Sequence, residues 1–116
     1  MKINEIKDII NSGGVDGYFT RQYGESAVKI QRARYLSAVE AFAALYGRGD
    51  DVSVFSVGGR SEISGNHTDH NRGRVVAAAV DLDIIAVASP RADLTVNVKS
   101  EGFPADTVDL SEYTSP

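Results

Sequence analysis

The sequence predicts an α+β fold in which N-terminal helices pack on an antiparallel sheet. Three observations carry this prediction. Apolar residues recur at the three- and four-residue spacing of a helix as far as Tyr46, and after residue 51 they follow the two-residue period of a strand. The 116 residues contain no internal repeat, low-complexity tract or linker, so we expect one unit.

The first helix is expected over residues 2–11. Its isoleucines, Ile3, Ile6, Ile9 and Ile10, recur at helical spacing, and Ser12-Gly13-Gly14 supplies the residues that end it. Residues 13–24 follow as a connector that bears three aromatic rings. We expect these rings to pack on the next helix rather than to be displayed.

The main helix is expected over residues 26–46. Ser26 is its candidate N-cap, and Gly47 is placed to end it. Apolar side chains form a stripe along one face, with basic and acidic residues largely off it. The stripe consists of Val28, Tyr35, Val39, Phe42 and Tyr46.

The second half predicts strands. Residues 52–57 form a short strand that ends at Gly58-Gly59, and residues 74–88 form a long strand that is apolar on both faces except at Asp81 and Asp83. Such a strand needs cover on both faces, and we give the two aspartates a structural role within it. After a turn at residues 89–92, residues 94–99 alternate and predict a hairpin with one solvent-exposed face. Val108 and Leu110 indicate a last short strand.

Composition excludes several classes of protein. The chain has no cysteine, so it has no disulfide framework and no thiolate zinc site. Its formal charge is −4, and residues 1–100 balance, so no basic face suggests a nucleic-acid partner. No apolar run approaches the length of a membrane helix, and no secretory core follows Met1, so we expect a cytoplasmic protein without a membrane partner.

Residues 58–73 concentrate the polar chemistry of the chain. They include both histidines, two acids, two asparagines and four glycines, a density that a simple connection does not need. Arg60 offers a planar fork of donors for a phosphate or carboxylate. Asn66, His67 and Asp69 offer the mixed donors and acceptors that suit sugar hydroxyls.

From the residues alone, three interpretations stay open. The first is a metal site, since His67, Asp69 and His70 are possible ligands within four positions, although Asp69 and His70 point to opposite sides of an extended chain. The second is a turn in which Asp69 and Asn71 bend the backbone and the histidines are solvated. The third is a sugar or phosphate pocket.

The segment from Gly59 to Gly73, GRSEISGNHTDHNRG, resembles the galactokinase signature of the GHMP family of small-molecule kinases, whose usual form is GRVNLIGEHTDYNGG. As in that family, a long apolar strand follows it. The resemblance implies that the chain is an N-terminal, sugar-binding fragment within the N-terminal domain of a GHMP-kinase-like fold. The motif carries this resemblance, and the preceding helices are compatible with it.

The resemblance also implies roles for individual residues. Arg60 matches the family arginine beside the anomeric hydroxyl and the transferred phosphate, a catalytic role. His67 and Asp69 match the residues that bind sugar hydroxyls. Asn66 replaces the family glutamate at a third sugar-binding position, and an amide can still accept from one hydroxyl and donate to another. No metal-ligating residue is implied.

The implied reaction is transfer of the γ-phosphate of ATP, with Mg²⁺, to the C1 hydroxyl of galactose. ATP and Mg²⁺ belong to the full-length parent, because the glycine- and serine-rich nucleotide loop and the C-terminal domain of the family have no counterpart among these 116 residues. We therefore expect residues 1–116 to form a single galactokinase-like domain fragment that is inactive alone and binds no cofactor.

Two further expectations concern partners. An alternative to the kinase fragment is a non-catalytic sugar-binding or regulatory module that was derived from a galactokinase. In either case galactose or a related hexose is the expected ligand. The main helix covers only one face of the long strand, so we expect a homo-oligomer that forms through the exposed apolar sheet surface.

Overall fold

The computed structural model describes residues 1–47, 51–65 and 72–111. Its elements, in chain order, are helices α1 (Ile3–Asn11) and α2 (Asp16–Tyr23), a 3₁₀ turn (Glu25–Ala27), helix α3 (Val28–Tyr46), and strands β1 (Ser53–Ser64), β2 (Val76–Ala88), β3 (Thr95–Lys99) and β4 (Ala105–Asp109). Strands β1 and β2 pair antiparallel, as do β3 and β4. The predicted α+β class, with helices first and antiparallel strands second, is confirmed.

The predicted connector contains a helix of its own. Helix α2 occupies most of it, and its first residue, Asp16, accepts hydrogen bonds from both the Nε and Nη2 atoms of Arg32 on α3. A carboxylate in a first helical turn also interacts favourably with the helix dipole. The expected packing of the aromatic rings is confirmed, because the ring of Phe19 is buried with its centroid 4.8 Å from that of Tyr35.

Ser26 is not the N-cap of the main helix. It lies inside the 3₁₀ turn, and α3 begins at Val28 after Ala27, which makes no side-chain capping bond. The 3₁₀ turn already bends the backbone into a helical path, so the position that a serine cap would fill lies one residue later than expected. The predicted end of the helix is confirmed at Gly47, whose φ is +91°.

The core joins the helices to the start of the sheet. Its buried members are Ile3, Ile6, Ile10, Phe19, Tyr35, Val39 and Val52. Val54 of β1 and the β2 residues Ile85 and Val87 pack against this cluster. Helices therefore cover one face of the β1–β2 ribbon only near its Ser53–Ala88 end, and the rest of β1 is exposed. Ile9, which was expected on the buried stripe, is instead exposed.

The opposite face of this ribbon is apolar and solvent-exposed. Its exposed large side chains include Phe55, Val57, Leu82 and Ile84, and those of Leu82 and Ile84 are 75% and 78% exposed. Separately, no helix among residues 1–47 is both long and apolar enough to cross a bilayer.

Strand β1 is longer than predicted. It continues through Gly58-Gly59 and Arg60 to Ser64, so the expected loop at residues 58–73 begins only at residue 65. The pairing with β2 is irregular at two places, between Gly58 and Arg60 and between Glu62 and Ser64. Irregular pairing tolerates glycine, and for this reason the glycine pair did not end the strand.

The predicted hairpin between the long strand and residues 94–99 is wrong. Strand β3 pairs with β4, and the two ribbons are separate two-stranded sheets. Val96 lies opposite Val108, and Asn97 lies opposite Thr107, whose hydroxyl is 3.0 Å from the Asn97 Oδ1 atom. Strand β4 thus matches both the apolar and the polar face of β3, whereas β2 offers mainly apolar residues. The predicted last strand is confirmed as β4.

Candidate functional site

The described parts of the signature segment, residues 59–65 and 72–73, lie toward the end of the β1–β2 ribbon where Ser64 pairs with Val76. Ser64 pairs with Val76 at the end of the ladder, and residues 65–75 connect the two strands. The base of this connection is tight: a Cβ atom on Gly65 would lie 2.5 Å from the Arg74 carbonyl oxygen and 2.8 Å from the Val75 Cα atom. The φ of Gly65 is +101°, so glycine is required here on both grounds.

Arg60 lies within strand β1 and not in the predicted loop. It is opposite Ala79 of β2, and its side chain is exposed to solvent. A guanidinium carried by a paired strand has a better fixed origin than one on a loop, so its donors can be presented in a defined direction.

The other predicted site residues lie outside the described residues. This applies to Asn66, His67 and Asp69, and also to His70, which took part in the metal interpretation. Arg72, where the described chain resumes, has a φ of +59°, in the left-handed region. Gly65 and Arg72 therefore both depart from extended backbone at the two ends of this segment.

An ionic cluster around one buried carboxylate lies further down the same ribbon. The Asp83 side chain is 5% exposed, and its Oδ1 atom is 2.5 Å from the Arg34 Nη1 atom of α3. The Tyr23 hydroxyl of α2 and the Ser56 hydroxyl of β1 each donate to Asp83 Oδ2 at 2.6 Å. Arg34 Nη2 also donates to the Asp83 backbone carbonyl at 2.8 Å. One carboxylate thus links α2, α3, β1 and β2, and we call these four residues the Asp83 cluster.

Burial and hydrogen bonding act in opposite directions on the pKa of Asp83. Burial favours the neutral acid and raises the pKa, whereas the donors of Ser56, Tyr23 and Arg34 favour the carboxylate. The donors together outweigh burial, and the pKa of Asp83 lies below its ordinary value. Asp83 is therefore a carboxylate, as its pairing with Arg34 requires.

Tyr35 extends the cluster into the core. Its hydroxyl oxygen is 2.9 Å from that of Tyr23, and because Tyr23 donates its proton to Asp83, Tyr35 must donate to Tyr23. Burial, the largest cause, raises the pKa of both phenols. A chain of donors therefore runs from the helical core to the sheet.

Two cavities border this part of the fold. A small one of about 100 Å³ is lined by polar groups of Gln22, Tyr23, Asp81 and Asp83. A larger one of about 480 Å³ opens between the helices and the start of β1, and it is lined mainly by Ile6, Ile9, Phe19 and Val52. Among its described lining residues, the larger cavity presents none of the charged or amide side chains that bind sugars.

Sequence reasoning gave Asp81 and Asp83 a structural role but missed the partners of Asp83. The hydrogen-bonded role is confirmed for Asp83, while Asp81 is exposed. The sequence signal for a structural role was the presence of two acids in an otherwise apolar strand. Arg34 and Tyr23 are separated from Asp83 by 49 and 60 residues in sequence, and no local pattern marks them as its partners.

Comparison with known proteins identifies the signature segment. Residues 40–90 match a family model described as the galactokinase galactose-binding signature. This range contains Arg60, Asn66, His67 and Asp69, and it also contains Asp83. No solved structure gives a significant match.

Curated relatives agree with the family model. The chain is 34% identical over 79 residues to a galactokinase of Lactococcus lactis subsp. lactis, a match that covers 67% of this chain and 20% of the relative. It is 35% identical over 95 residues to a galactokinase of Bos taurus, covering 82% of this chain and 22% of the relative. For a galactokinase of Homo sapiens the identity is 33% over 79 residues, covering 68% and 20%.

The chain therefore spans about a fifth of the length of these relatives. The expected resemblance to the N-terminal part of a galactokinase is confirmed. The family model and the relatives agree on one assignment, and on their combined evidence this chain belongs to the galactokinase family.

Proposed function

We propose that this chain provides the galactose-binding part of a sugar kinase that transfers the γ-phosphate of ATP to the C1 hydroxyl of galactose. The observation that carries the proposal is the match of residues 40–90 to the galactose-binding signature. In the fold, this range centres on the tip of the β1–β2 ribbon, where Arg60 is exposed.

Arg60 is proposed as the catalytic residue of this segment, and Asn66, His67 and Asp69 as its sugar ligands. A guanidinium beside the reacting hydroxyl stabilises charge that develops on the transferred phosphoryl group. Carboxylate, amide and imidazole groups bind adjacent hydroxyls of a pyranose by donating and accepting hydrogen bonds. Catalysis of this kind depends mainly on positioning, so the strand that carries Arg60 contributes directly to it.

The described residues do not fit the nucleotide. Gly13-Gly14 precedes α2, but the first turn of that helix holds the Asp16 carboxylate, which would repel a phosphate. Gly58-Gly59 lies within β1 and not before a helix. ATP and Mg²⁺ therefore enter the proposal only as cofactors of a longer parent, and no step is derived through them.

The proposal includes residues 1–116 as one sugar-binding domain fragment that is inactive alone. It also includes a homo-oligomer, supported by the exposed apolar face of the β1–β2 ribbon. Titration calorimetry of the 116-residue chain with galactose and with other hexoses tests sugar binding. A coupled assay for galactose-dependent ADP release tests inactivity, and ADP release by the isolated chain would contradict it.

Replacing Arg60 with alanine tests the catalytic assignment. In a full-length parent that contains this segment, we expect Arg60→Ala to lower kcat by roughly a hundredfold or more, since it removes a group that stabilises the transition state. The side chain is exposed, so the free energy of unfolding should change little. Steady-state kinetics and urea unfolding measure the two effects.

The matched control is Arg91→Ala. Arg91 is an exposed arginine in the turn before β3, where it pairs with Asp93. It lies outside the signature segment. We expect its kcat to match that of the parent. Near-normal turnover in Arg60→Ala would remove the catalytic assignment.

A non-catalytic sugar-binding or regulatory module is the second candidate. Reading the gene beyond Pro116 distinguishes the two candidates. An in-frame glycine- and serine-rich loop supports the kinase, whereas a stop codon there, together with measurable galactose binding, supports the module.

A further inference from the structure

We propose that Asp83 is a positioning residue for sugar recognition, because the Asp83 cluster holds a two-residue shift in the β1–β2 register that keeps Arg60 away from Asp81. This inference rests on the proposed function for the meaning of Arg60. The register itself is a property of the ribbon that can be measured without any sugar.

The pairing pattern shows the shift directly. Gly58 lies opposite Asp83, and the next aligned pair is Arg60 opposite Ala79. Over this step β1 advances by two residues and β2 by four. A regular ladder continued from Gly58 and Asp83 would place Asp81 opposite Arg60, so the irregularity exchanges a carboxylate for a methyl group at this position.

The exchange changes the electrostatic surroundings of the Arg60 guanidinium. Residues directly opposite each other in an antiparallel pair have Cβ atoms about 5 Å apart, within reach of a salt bridge between long side chains. An arginine in a bidentate pair with an aspartate has part of its charge offset and two of its five donors engaged. Opposite Ala79, the Arg60 guanidinium keeps its donors for a ligand.

The regular register is a realistic competitor. A shift of one residue would exchange the two faces of a strand, but a shift of two residues keeps every side chain on its original face. At the end of the ladder Ser64 lies opposite Val76, where the regular register would place Ala77, so the two registers differ there by only one residue. The sheet therefore needs a specific interaction that selects the shifted register.

The Asp83 cluster is placed to make that selection. The Ser56 hydroxyl on β1 and the Asp83 carboxylate on β2 join the two strands immediately before the irregularity begins. Arg34 binds both the side chain and the backbone carbonyl of Asp83, so α3 fixes the backbone at this residue. A buried carboxylate that loses its donors is costly, and this cost opposes sliding of β2.

The first test measures the register by NMR in the 116-residue chain without sugar. Wild type should show interstrand NOEs between Arg60 and Ala79. In Asp83→Asn, which keeps the side-chain shape but removes the charge, we expect NOEs between Arg60 and Asp81. Retention of the Arg60–Ala79 NOEs in Asp83→Asn would overturn the proposal.

The second test measures galactose affinity by calorimetry. We expect Asp83→Asn to bind galactose about tenfold more weakly than wild type. Adding Asp81→Ala to this variant removes the competing carboxylate and should restore the affinity to within about threefold. A purely structural role for Asp83 would give no such rescue, so failure of the double variant to recover would overturn the proposal.

Asp16→Asn is the matched control. It removes the carboxylate of a two-bond arginine pair between α2 and α3, away from the sheet. We expect its register and galactose affinity to equal those of wild type. If Asp83→Asn does not fold, Tyr23→Phe removes one donor while keeping the ring, and it should show a mixture of both sets of NOEs; the Arg60–Ala79 set alone would overturn the proposal.

The two proposals fail in different ways. If wild type does not bind galactose, the proposed function is overturned, and the NOEs alone decide the role of Asp83 in the register. If the register changes in Asp83→Asn while galactose affinity does not, the positioning role is overturned and the proposed function stands.

Discussion

Asp83 shows how a single carboxylate can be accommodated under a helical layer. Its three side-chain donors come from three different elements, and each bond is 2.5–2.6 Å long. Charge-assisted hydrogen bonds of this kind are about twice as strong as neutral ones. The residue therefore acts as a joint between helices and sheet as well as a fixed point for the strand register.

The lowered pKa of Asp83 predicts a specific dependence of stability on pH. Its carboxylate contributes stability above the pKa of about 3.9 that it has in the unfolded chain, and this contribution is lost as pH falls through the lower value in the folded protein. We expect the difference in free energy of unfolding between wild type and Asp83→Asn to be largest near about pH 6 and to shrink below about pH 4. Urea unfolding at a series of pH values measures it.

Other acids with lowered pKa values, such as Asp16 and Asp93, are common to both proteins and cancel in the comparison. A difference that stayed constant down to about pH 2 would show that the Asp83 carboxylate is not linked to folding.

At the scale of single residues, the signature motif was the feature of the sequence that allowed site residues to be predicted. Arg60, Asn66, His67 and Asp69 were predicted as site residues because they stand together in one ordered motif. Arg34, Tyr23 and Ser56 were not found, because their common partner depends on how three distant elements dock. Hydrogen bonds across 27 to 60 residues of sequence leave no periodic trace.

Among the elements, the tip of the β1–β2 ribbon depends most on one backbone conformation. We expect Gly65→Ala to destabilise the fold by more than the roughly 1 kcal/mol that a positive φ costs an alanine, because the new Cβ also meets the backbone of Arg74 and Val75. Galactose binding should fall as well, since Gly65 lies within the signature segment and directly precedes the proposed sugar ligands. Urea unfolding and calorimetry measure the two effects.

Gly102→Ala provides the comparison. Gly102 also has a positive φ, of +79°, but a Cβ atom there would have no neighbour within 4 Å. We expect it to cost about 1 kcal/mol and to leave galactose binding unchanged. Equal effects of the two substitutions would contradict the tight base of the connection.

Elements that bury their own apolar stripe were predicted well. Helices α1 and α3 carry such stripes, and both were expected within two residues of their observed limits. Helix α2 was missed because it is short, contains Gly17, and is held by the rings of Tyr18 and Phe19 and by the pair of Asp16 with Arg32. Strand β1 was predicted to end too early because a glycine pair weakens a regular strand, whereas irregular pairing with β2 accommodates the pair here.

For the whole molecule, the shape of the chain and its exposed apolar surface both lead us to expect self-association. The radius of gyration is 17.8 Å, against about 13 Å for a compact chain of this length. The excess reflects two separate ribbons, one of which exposes an apolar face. Two ribbons that do not share one core leave more apolar surface in water than a closed domain does.

We expect this surface to produce association at micromolar concentrations. Ile84→Lys places a charge in the centre of the exposed β1–β2 face and should shift the chain toward 12.4 kDa monomers in light scattering. Ile30→Lys is the control, because Ile30 is 68% exposed on α3 and not on the sheet. A wild-type chain that is already monomeric, or equal effects of both variants, would contradict association through this face.

The pairing of the strands was the feature of the whole chain that was hardest to predict. Alternating residues correctly indicated that β3 is a strand, but they did not reveal its partner, and the apolar face with Val96 and Val98 is exposed as well. Pairing was decided by complementarity with β4, which matches Val96 with Val108 and Asn97 with Thr107. Such complementarity is visible only when the two candidate neighbours are compared side by side.

The chain of hydroxyls from Tyr35 through Tyr23 to Asp83 also gives the protein an internal optical label. There is no tryptophan, so the near-ultraviolet absorbance comes chiefly from five tyrosines. Two of them, Tyr23 and Tyr35, lie at the contact between helices and sheet, and burial makes both resist ionisation. At Tyr23 the neighbouring Asp83 carboxylate adds to this effect. Alkaline difference spectroscopy can therefore follow the docking of the helices on the sheet in the unmodified chain.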